Sequence, residues 1–390
     1  MFEEKYMLRA IELAKKGMGA VNPNPLVGAV IVKDGRIIGE GYHARYGELH
    51  AERTAFKNLT EDAEGAEMYV TLEPCCHFGK QPPCTHAIVE HKIKKVYVGS
   101  DDPNEKVAGK GIAYLRANGV EVFTQQLKEE CDKLNSIFFH YITTKTPYVM
   151  MKYAMTMDGK IATKTGASKW ITNEASRLDV QRKRNEYMGI MVGIGTVLAD
   201  NPMLNCRIEG GRNPVRIICD SKLRIPLDSN IVKTAGEIKT IVAAATPTDR
   251  YKDELLLKKK ALEEKGINVI LTEQSETGTY TAGETEPGKV NLKQLMQLLG
   301  EQGIDGIMLE GGADLNYSAI DAGIVQEVRV YIAPKIFGGK EAKTPVGGEG
   351  IEIVDMAKQY RLVETEMIDN DIVLTYKKIP PIEYEGHNIK

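Results

Sequence analysis

The strongest constraint on this chain's fold is that helical and extended hydrophobic patterns alternate along almost all of its 390 residues. Residues 3–17 place Met7, Ala10, Ile11 and Ala14 on one helical stripe. The segment LVGAVIVKDGRIIGEGY (26–42) reads as a β-hairpin turning at Asp34-Gly35. Helical patterns over 50–59, 84–92 and 109–119 interleave with short strands at 67–72 and 94–100, and another strand follows Gly119. Residues 125–142 read as one further helix, with Leu127, Cys131, Leu134 and Phe138 at helical spacing. Helices alternating with strands predict an α/β layer fold.

A second run of the same kind starts after Thr146-Pro147. Strands are expected from Pro147 into a turn at Asp158-Gly159, and over 189–197, 215–220, 240–246, 267–272, 306–312 and 327–338. Helices are expected over 173–186, 249–264 and 291–302. At roughly 150 residues per domain, the length accommodates two or three domains. The reading here is two, 1–146 and 147–390. Residues 273–290 have almost no large apolar side chains and are expected to form a solvated loop. The tail past Lys378, with Pro380-Pro381, is expected to fray.

With 42% hydrophobic and 27% charged residues, the chain is no disordered polymer. Lys plus Arg is 51 and Asp plus Glu is 54, a net charge of −3. That balance gives no electrostatic footprint for nucleic acid or an anionic membrane. No apolar run approaches the ~20 residues of a membrane span. The N-terminus, MFEEKYMLRAIELAKKG, mixes charge with apolar residues and lacks a signal-peptide core. A cytoplasmic protein is therefore expected. Of six cysteines, Cys75, Cys76 and Cys84 cluster, while Cys131, Cys206 and Cys219 are scattered in apolar surroundings. In a reducing compartment such a cluster points to metal, and the scattered three to inert buried thiols.

His50-Ala51-Glu52 opens one expected helix, Pro74-Cys75 follows a strand, and Cys84 opens the next helix. One imidazole and two thiolates make a three-ligand zinc site with its fourth position left for water. Zinc brings the pKa of such a water to about 7. Glu52, two residues from the imidazole, can shuttle the proton to a departing amine. This is the H-x-E…P-C pattern of zinc deaminases, but the second thiol is displaced. Eight residues, CHFGKQPP, separate Cys75 from Cys84. Cys76 could compete as ligand, and Cys76, His77 or His86 could close a purely structural site. His43, His91, His140 and His387 taken alone are ordinary histidines.

The segments VNPNPLVGAVIV, GYH, HAE, TLEPCCHFGKQPPC and DDPNEKVAGKG resemble the deaminase half of the bifunctional riboflavin-biosynthesis deaminase/reductases. KYAMTMDGKIAT, SKWIT, GIGTVLADNPMLNCR, CDSKLRIP and LEGGADLN resemble the reductase half, in the family's order. The resemblance implies a cytidine-deaminase-like three-layer α/β/α domain followed by a dihydrofolate-reductase-like α/β domain. It implies removal of a ring amino group from a phosphorylated ribosylaminopyrimidine, then NADPH-dependent reduction of the ribosyl chain. It also implies that His50, Cys75 and Cys84 bind zinc, that Glu52 is the proton shuttle, and that Asn24, His43, His77, Lys80, Asp102 and Asn104 meet the pyrimidine. For Asn24 and Asn104, turn formation beside proline is the alternative, and for Lys80 a solvated surface.

In the second half, GIGT (193–196) and EGGADLN (310–316) are glycine loops after apolar strands, of a kind that admits phosphate. No G-x-G-x-x-G opens a βαβ unit, so a Rossmann domain is not indicated. By resemblance, Ala154, Trp170, Thr196, Asp200, Ser221 and Gly312-Ala313-Asp314-Leu315 meet the cofactor. Ser168, Arg184, Leu204, Arg207 and Glu310 match substrate positions, the arginines suiting a phosphate. Lys152 matches a lysine acting near the reacting sugar; its alternative is an ion pair with Asp200 or Glu310. The rival functions are a base deaminase carrying a nucleotide-binding module, and a zinc-stabilised binding protein without turnover. A homo-oligomer acting on a small molecule, without nucleic acid or membrane, is expected.

Overall fold

Asp34 and Gly35 both take positive φ, 48° and 74°, and close a hairpin of β1 (Gly28–Lys33) and β2 (Arg36–Tyr42). The computed structural model in which this hairpin is seen describes residues 2–78, 82–247, 252–275 and 288–379. The chain divides into Met1–Pro147 with Gly300–Asp305, and Tyr148–Leu299 with Gly306–Lys390.

In the first unit, α1 (Glu4–Lys15) packs on β1, and β2 leads to α2 (Ala51–Lys57). Then follow β3 (Glu67–Leu72), α3 (Cys84–Glu90), β4 (Lys95–Ser100), α4 (Lys110–Ala117) and β5 (Glu121–Phe123). The sheet order is β2-β1-β3-β4-β5, antiparallel around β1 and parallel from β3 to β5. Both faces are apolar because alternate residues serve opposite layers. Ala29, Ile31, Met68, Val70, Val96 and Val98 face a cluster with α2, α3 and α4. Val30, Val32, Tyr69 and Tyr97 face Met7, Ala10, Ile11 and Cys131. The result is a three-layer α/β/α domain.

The helix expected over 125–142 is two helices, α5 (Lys128–Leu134) and α6 (Ser136–Thr144). Asn135 breaks them with φ −119° and ψ 21°. Its buried amide instead clamps Leu26, accepting from the Leu26 N–H at 2.8 Å and donating to its carbonyl at 2.9 Å. Local helical spacing lost to a long-range hydrogen-bond pair.

The second unit runs β6 (Tyr148–Thr156), α7 (Glu174–Glu186), β7 (Gly189–Gly193), α8 (Ile194–Asp200), β8 (Val215–Cys219), α9 (Asn230–Lys233) and β9 (Thr240–Ala245). It continues with α10 (Lys252–Glu263), β10 (Asn268–Thr272), α11 (Leu292–Glu301), β11 (Gly306–Leu309), α12 (Ala313–Asp321), β12 (Glu327–Ala333), β13 (Tyr360–Ile368) and β14 (Asp371–Lys378). Its nine-stranded sheet has the order β10-β9-β8-β7-β11-β6-β12-β14-β13. The seven strands from β10 to β12 are parallel; β14 and β13 add an antiparallel edge. The strand expected over 189–197 stops at Gly193, which becomes the N-cap of α8, so GIGT is no free loop. The strands expected to run through Gly312 and Gly338 end at Leu309 and Ala333. The β13–β14 hairpin and the helices α8, α9 and α12 carry no expectation from the sequence. The solvated loop expected at 273–290 is described only at its ends, where Gln274 bridges to Val290. Its middle and the tail from 380 lie outside the described residues.

Candidate active site

Two glycines bring the metal-site helix onto the first sheet. A Cβ at Gly41 would stand 2.3 Å from the Ala51 carbonyl, and one at Gly39 2.6 Å from that of Ala55. Without side chains there, β2 receives α2 at backbone contact distance. His50 is the N-cap residue of α2 and Glu52 lies in its first turn. Cys75 follows β3, and Cys84 opens α3.

His50 Nδ1 lies 3.5 Å from Cys75 Sγ and 3.3 Å from Cys84 Sγ, and the three ligand atoms all fall within 4.8 Å of one another. Tetrahedral zinc with S and N ligands has edges of roughly 3.5–3.8 Å, so the donor set and spacing fit that ion. Among the described residues no fourth His, Cys, Asp or Glu joins the group. Cys76 instead points its thiol at the Lys106 carbonyl, and His86 stacks on Tyr114. Neither Cys76 nor His86, the alternatives considered for ligation or closure, joins the group. Cys75 is pulled down to about 4 by hydrogen bonds with Cys84 and, against burial, His50.

Glu52 is only 3% exposed, and burial, reinforced by Cys75, pushes its carboxyl upward. A buried carboxyl of this kind can hold a proton nearer neutrality than a solvated one. His50, Glu52 and Cys75 line a cavity of about 340 Å³ together with Asn24, His43, His77, Asp102 and Asn104. The structure thus brings together five of the six residues matched to a pyrimidine. Lys80, the sixth, lies outside the described residues.

His43 Nδ1 contacts the Leu49 carbonyl at 3.0 Å, which fixes that nitrogen as donor. Its Nε2 then accepts from the Asn24 amide at 3.1 Å. Burial lowers the His43 pKa, in keeping with a neutral ring. Asp102 is pushed up to about 6 by burial and accepts from the Asn104 N–H at 2.8 Å. His77 Nδ1 is buried without a hydrogen-bond partner among the described residues. Sequence reading missed Tyr46, Glu48, Phe138, Tyr141 and Ile142, which also line the cavity. The last three share one face of α6, so their i, i+3, i+4 spacing was the available signal.

In the second unit, β11 pairs Leu309 with Met151 of β6, so Glu310 emerges beside Lys152. Lys152 Nζ is 3.7 Å from Glu310 Oε2, while Arg184 holds the same carboxylate with two bonds, 2.9 and 3.2 Å. Burial would raise Glu310, but Arg184 and then Lys152 outweigh it and hold the carboxyl at about 2. Burial lowers Lys152. The ion pair considered for Lys152 forms with Glu310; Arg184 lies on no solvated face. Arg184 also donates to the Asn205 carbonyl, beside Leu204. The Arg207 side chain is exposed, and its backbone N–H is held by Gln181.

Ala154 lies on β6, Thr196 and Asp200 on α8, Ser221 after β8, and Gly312 caps α12, which starts Ala313-Asp314-Leu315. Ala154, Thr196, Ser221 and Gly312 lie at or just past the carboxyl ends of neighbouring parallel strands, where open α/β sheets take ligands, whereas Asp200 ends α8. A Cβ at Gly312 would meet nothing within 4 Å, and no side chain caps α12. Its first N–H groups are therefore open to an anion, which suits a dinucleotide phosphate. Ser221 Oγ accepts from the Val290 N–H. Ser168 is half-buried, and Trp170 is 60% exposed beneath Arg177, 4.8 Å from its ring centroid.

The family model for the cytidine and deoxycytidylate deaminase zinc-binding region matches residues 1–100, and that for the RibD C-terminal domain matches 147–374. The riboflavin biosynthesis protein RibD of Actinobacillus pleuropneumoniae is 53% identical over 98% of this chain and 97% of its own. That of Bacillus amyloliquefaciens is 42% identical over 99% of each. Among solved structures, Acinetobacter baumannii RibD superposes with a TM-score of 0.81 at 36% identity, covering 96% of this chain and 98% of that one. The Thermotoga maritima diaminohydroxyphosphoribosylaminopyrimidine deaminase/5-amino-6-(5-phosphoribosylamino)uracil reductase gives 0.80 at 38%, with the same coverage. With both halves matched in order and the deaminase ligand set assembled in the first, this chain belongs to the bifunctional riboflavin-biosynthesis deaminase/reductases, the RibD family.

Proposed function

We propose that the first unit deaminates diaminohydroxyphosphoribosylaminopyrimidine and that the second reduces the resulting 5-amino-6-(5-phosphoribosylamino)uracil with NADPH. The observation that carries this reading is the buried Glu52 sharing a cavity with two of three zinc-competent ligands and five pyrimidine-matched side chains. His50, Cys75 and Cys84 hold zinc, which when bound supplies a Lewis acid that makes water nucleophilic at neutral pH. Glu52 accepts the proton of that water and returns it to the departing amine, so water and the ring amine become a ring carbonyl and ammonia. Asn24 orients His43, and the neutral His43 ring, Asp102, Asn104 and His77 present donors and acceptors to the ring edges. Lys80 meets the phosphate.

NADPH supplies hydride to the second unit when bound. Ala154, Trp170, Thr196, Asp200, Ser221 and Gly312-Ala313-Asp314-Leu315 bind and orient it. Ser168, Leu204, Arg184, Arg207 and Glu310 hold the sugar phosphate. Lys152 supplies a proton from Nζ to the sugar oxygen, a transfer that burial eases and that Glu310 opposes. The reading places the protein in the cytoplasm as a homo-oligomer acting on a free small molecule. Six unpaired cysteines and a net charge of −3 support that setting. Among the described residues, no helix is long and apolar enough to cross a membrane.

The test is NADPH absorbance after the diamino substrate is added to zinc-loaded protein. Oxidation is expected, absent in Glu52→Ala and restored there by the already deaminated pyrimidine. No oxidation with either pyrimidine sinks the proposal for the second unit. Trp170, the single tryptophan, reports cofactor binding directly: NADPH should quench its fluorescence.

A further inference from the structure

In a C-x-x-C motif the two thiols share one turn of backbone, and the chain itself sets their spacing. Here residues 76–83 intervene, and eight extended residues can span roughly 26–29 Å. Loop length alone therefore leaves Cys84 unplaced. Yet its Sγ lies 3.3 Å from His50 Nδ1. Two contacts from backbone N–H groups tie the start of α3 to Cys75, one to its thiol and one to its carbonyl. The Cys84 N–H points at Cys75 Sγ at 3.4 Å, and the Thr85 N–H donates to the Cys75 carbonyl at 3.2 Å.

The third tie comes from a side chain on α2. Arg53 donates from Nε to the Pro82 carbonyl and from Nη2 to the Pro83 carbonyl, both at 3.0 Å. Proline has no N–H, so its carbonyl is its only backbone hydrogen-bonding group. A guanidinium offers two donors in one rigid plane; a lysine ammonium cannot match that fork. Arg53 thereby joins the residues just before Cys84 to the helix that carries His50 and Glu52.

We infer that Arg53 is a positioning residue for the metal centre: by bridging the Pro82 and Pro83 carbonyls it fixes Cys84 against His50 and Cys75, and so sets how tightly zinc is held. The inference rests on these three residues being the zinc ligands. Partners that orient metal ligands typically contribute 10–100-fold in metal affinity. Arg53→Met should lose about that factor, and Arg53→Lys, which can reach one carbonyl, should lose less.

The experiment uses full-length zinc-loaded protein and a chromophoric chelator, far below the melting temperature. Zinc release from Arg53→Met should be about 10–100-fold faster than from the parent, with Arg53→Lys between them. With cobalt(II) in place of zinc, the thiolate-to-cobalt charge-transfer band should weaken in Arg53→Met as one thiolate loosens. The far-UV circular dichroism spectrum at the assay temperature should be unchanged in both variants, which separates local loosening from unfolding of the first unit. If Arg53→Met melts early, the release rate of Arg53→Lys decides. Release within about twofold of the parent in both variants, with an unaltered cobalt band, overturns the role of Arg53 while leaving the zinc site standing. A parent protein with no charge-transfer band overturns the ligand set itself, and this inference with it.

Discussion

Glu73 is the residue whose replacement tests the architecture of the deaminase site most directly. It is 4% exposed and immediately precedes Pro74-Cys75. Its Oε2 accepts from the Gly109 N–H at 3.0 Å; its Oε1 accepts from Gly111 at 3.0 Å and Ile112 at 3.2 Å. These are the N-terminal N–H groups of α4, whose own N-cap, Gly109 at φ 75°, has no side chain to satisfy them. A carboxylate from another strand end thus caps the helix and favours its positive pole. Bonds to a charged group contribute about 1.5–3 kcal/mol each and do not add fully. Glu73→Ala strands three donors and should cost roughly 3–5 kcal/mol. Glu73→Gln keeps one acceptor oxygen but turns an amide NH₂ toward the Gly109 N–H, and should cost about 2 kcal/mol. For a unit of this size that is a fall of about 4–8 °C in melting temperature. The assay is thermal unfolding of the full chain followed by far-UV circular dichroism and by tryptophan fluorescence. Trp170 lies in the second unit, so its transition serves as the internal control. A Glu73→Gln variant melting within about 1 °C of the parent by both probes would refute the capping argument.

Three further outcomes follow from the same physics. Arg216 is fully buried and donates to five neutral acceptors, Thr240 Oγ1, Thr234 Oγ1 and the carbonyls of Met203, Ile231 and Ile238. Burial draws its pKa down to about 10. Arg216→Met should cost about 3–5 kcal/mol by stranding those acceptors, read as an early Trp170 fluorescence transition; an unshifted transition contradicts it. Glu310, held at about 2 in the fold against an ordinary value of 4.5, contributes stability that is full above pH ~4.5 and lost as pH falls toward 2. That shift is worth roughly 3 kcal/mol, so Glu310→Gln should flatten the acid limb of the stability profile between those values, and an unchanged limb would count against the ion-pair reading. Stripping zinc with a chelator should abolish ammonia release and lower the melting temperature of the first unit, while reduction of the deaminated pyrimidine persists. Restoring zinc should recover both; ammonia release from metal-free protein would exclude the assigned chemistry.

Most regular elements were legible because their signals are local. The stripe of Met7, Ala10 and Ile11 makes α1, and Asp34-Gly35 makes the hairpin, wherever the rest of the chain goes. The departures have different causes. Residues 125–142 satisfy a helical period, but Asn135 gains two hydrogen bonds to Leu26 by leaving it. The apolar run 189–197 suits a strand, yet a helix begins at Ile194 because Val197 and Ile194 pack into the second core. The β13–β14 hairpin is largely exposed on its outer strand, so it lacks the alternation that marks a half-buried strand.

The sequence by itself determined the α/β class, the His50, Glu52, Cys75 and Cys84 pattern, and the family. Those follow from periodicity and from residue types whose chemistry is specific at short spacing. Tertiary structure decided which groups hold the chemistry in place. It chose Glu310 over Asp200 as the partner of Lys152, left Cys76 outside the ligand set, and put Phe138, Tyr141 and Ile142 in the cavity wall. It also set Glu73 on a helix 36 residues away and Arg53 on the prolines before Cys84. Each of these depends on a pairing between residues distant in sequence, and hydrogen bonds and ion pairs act over ångströms that only the folded chain defines.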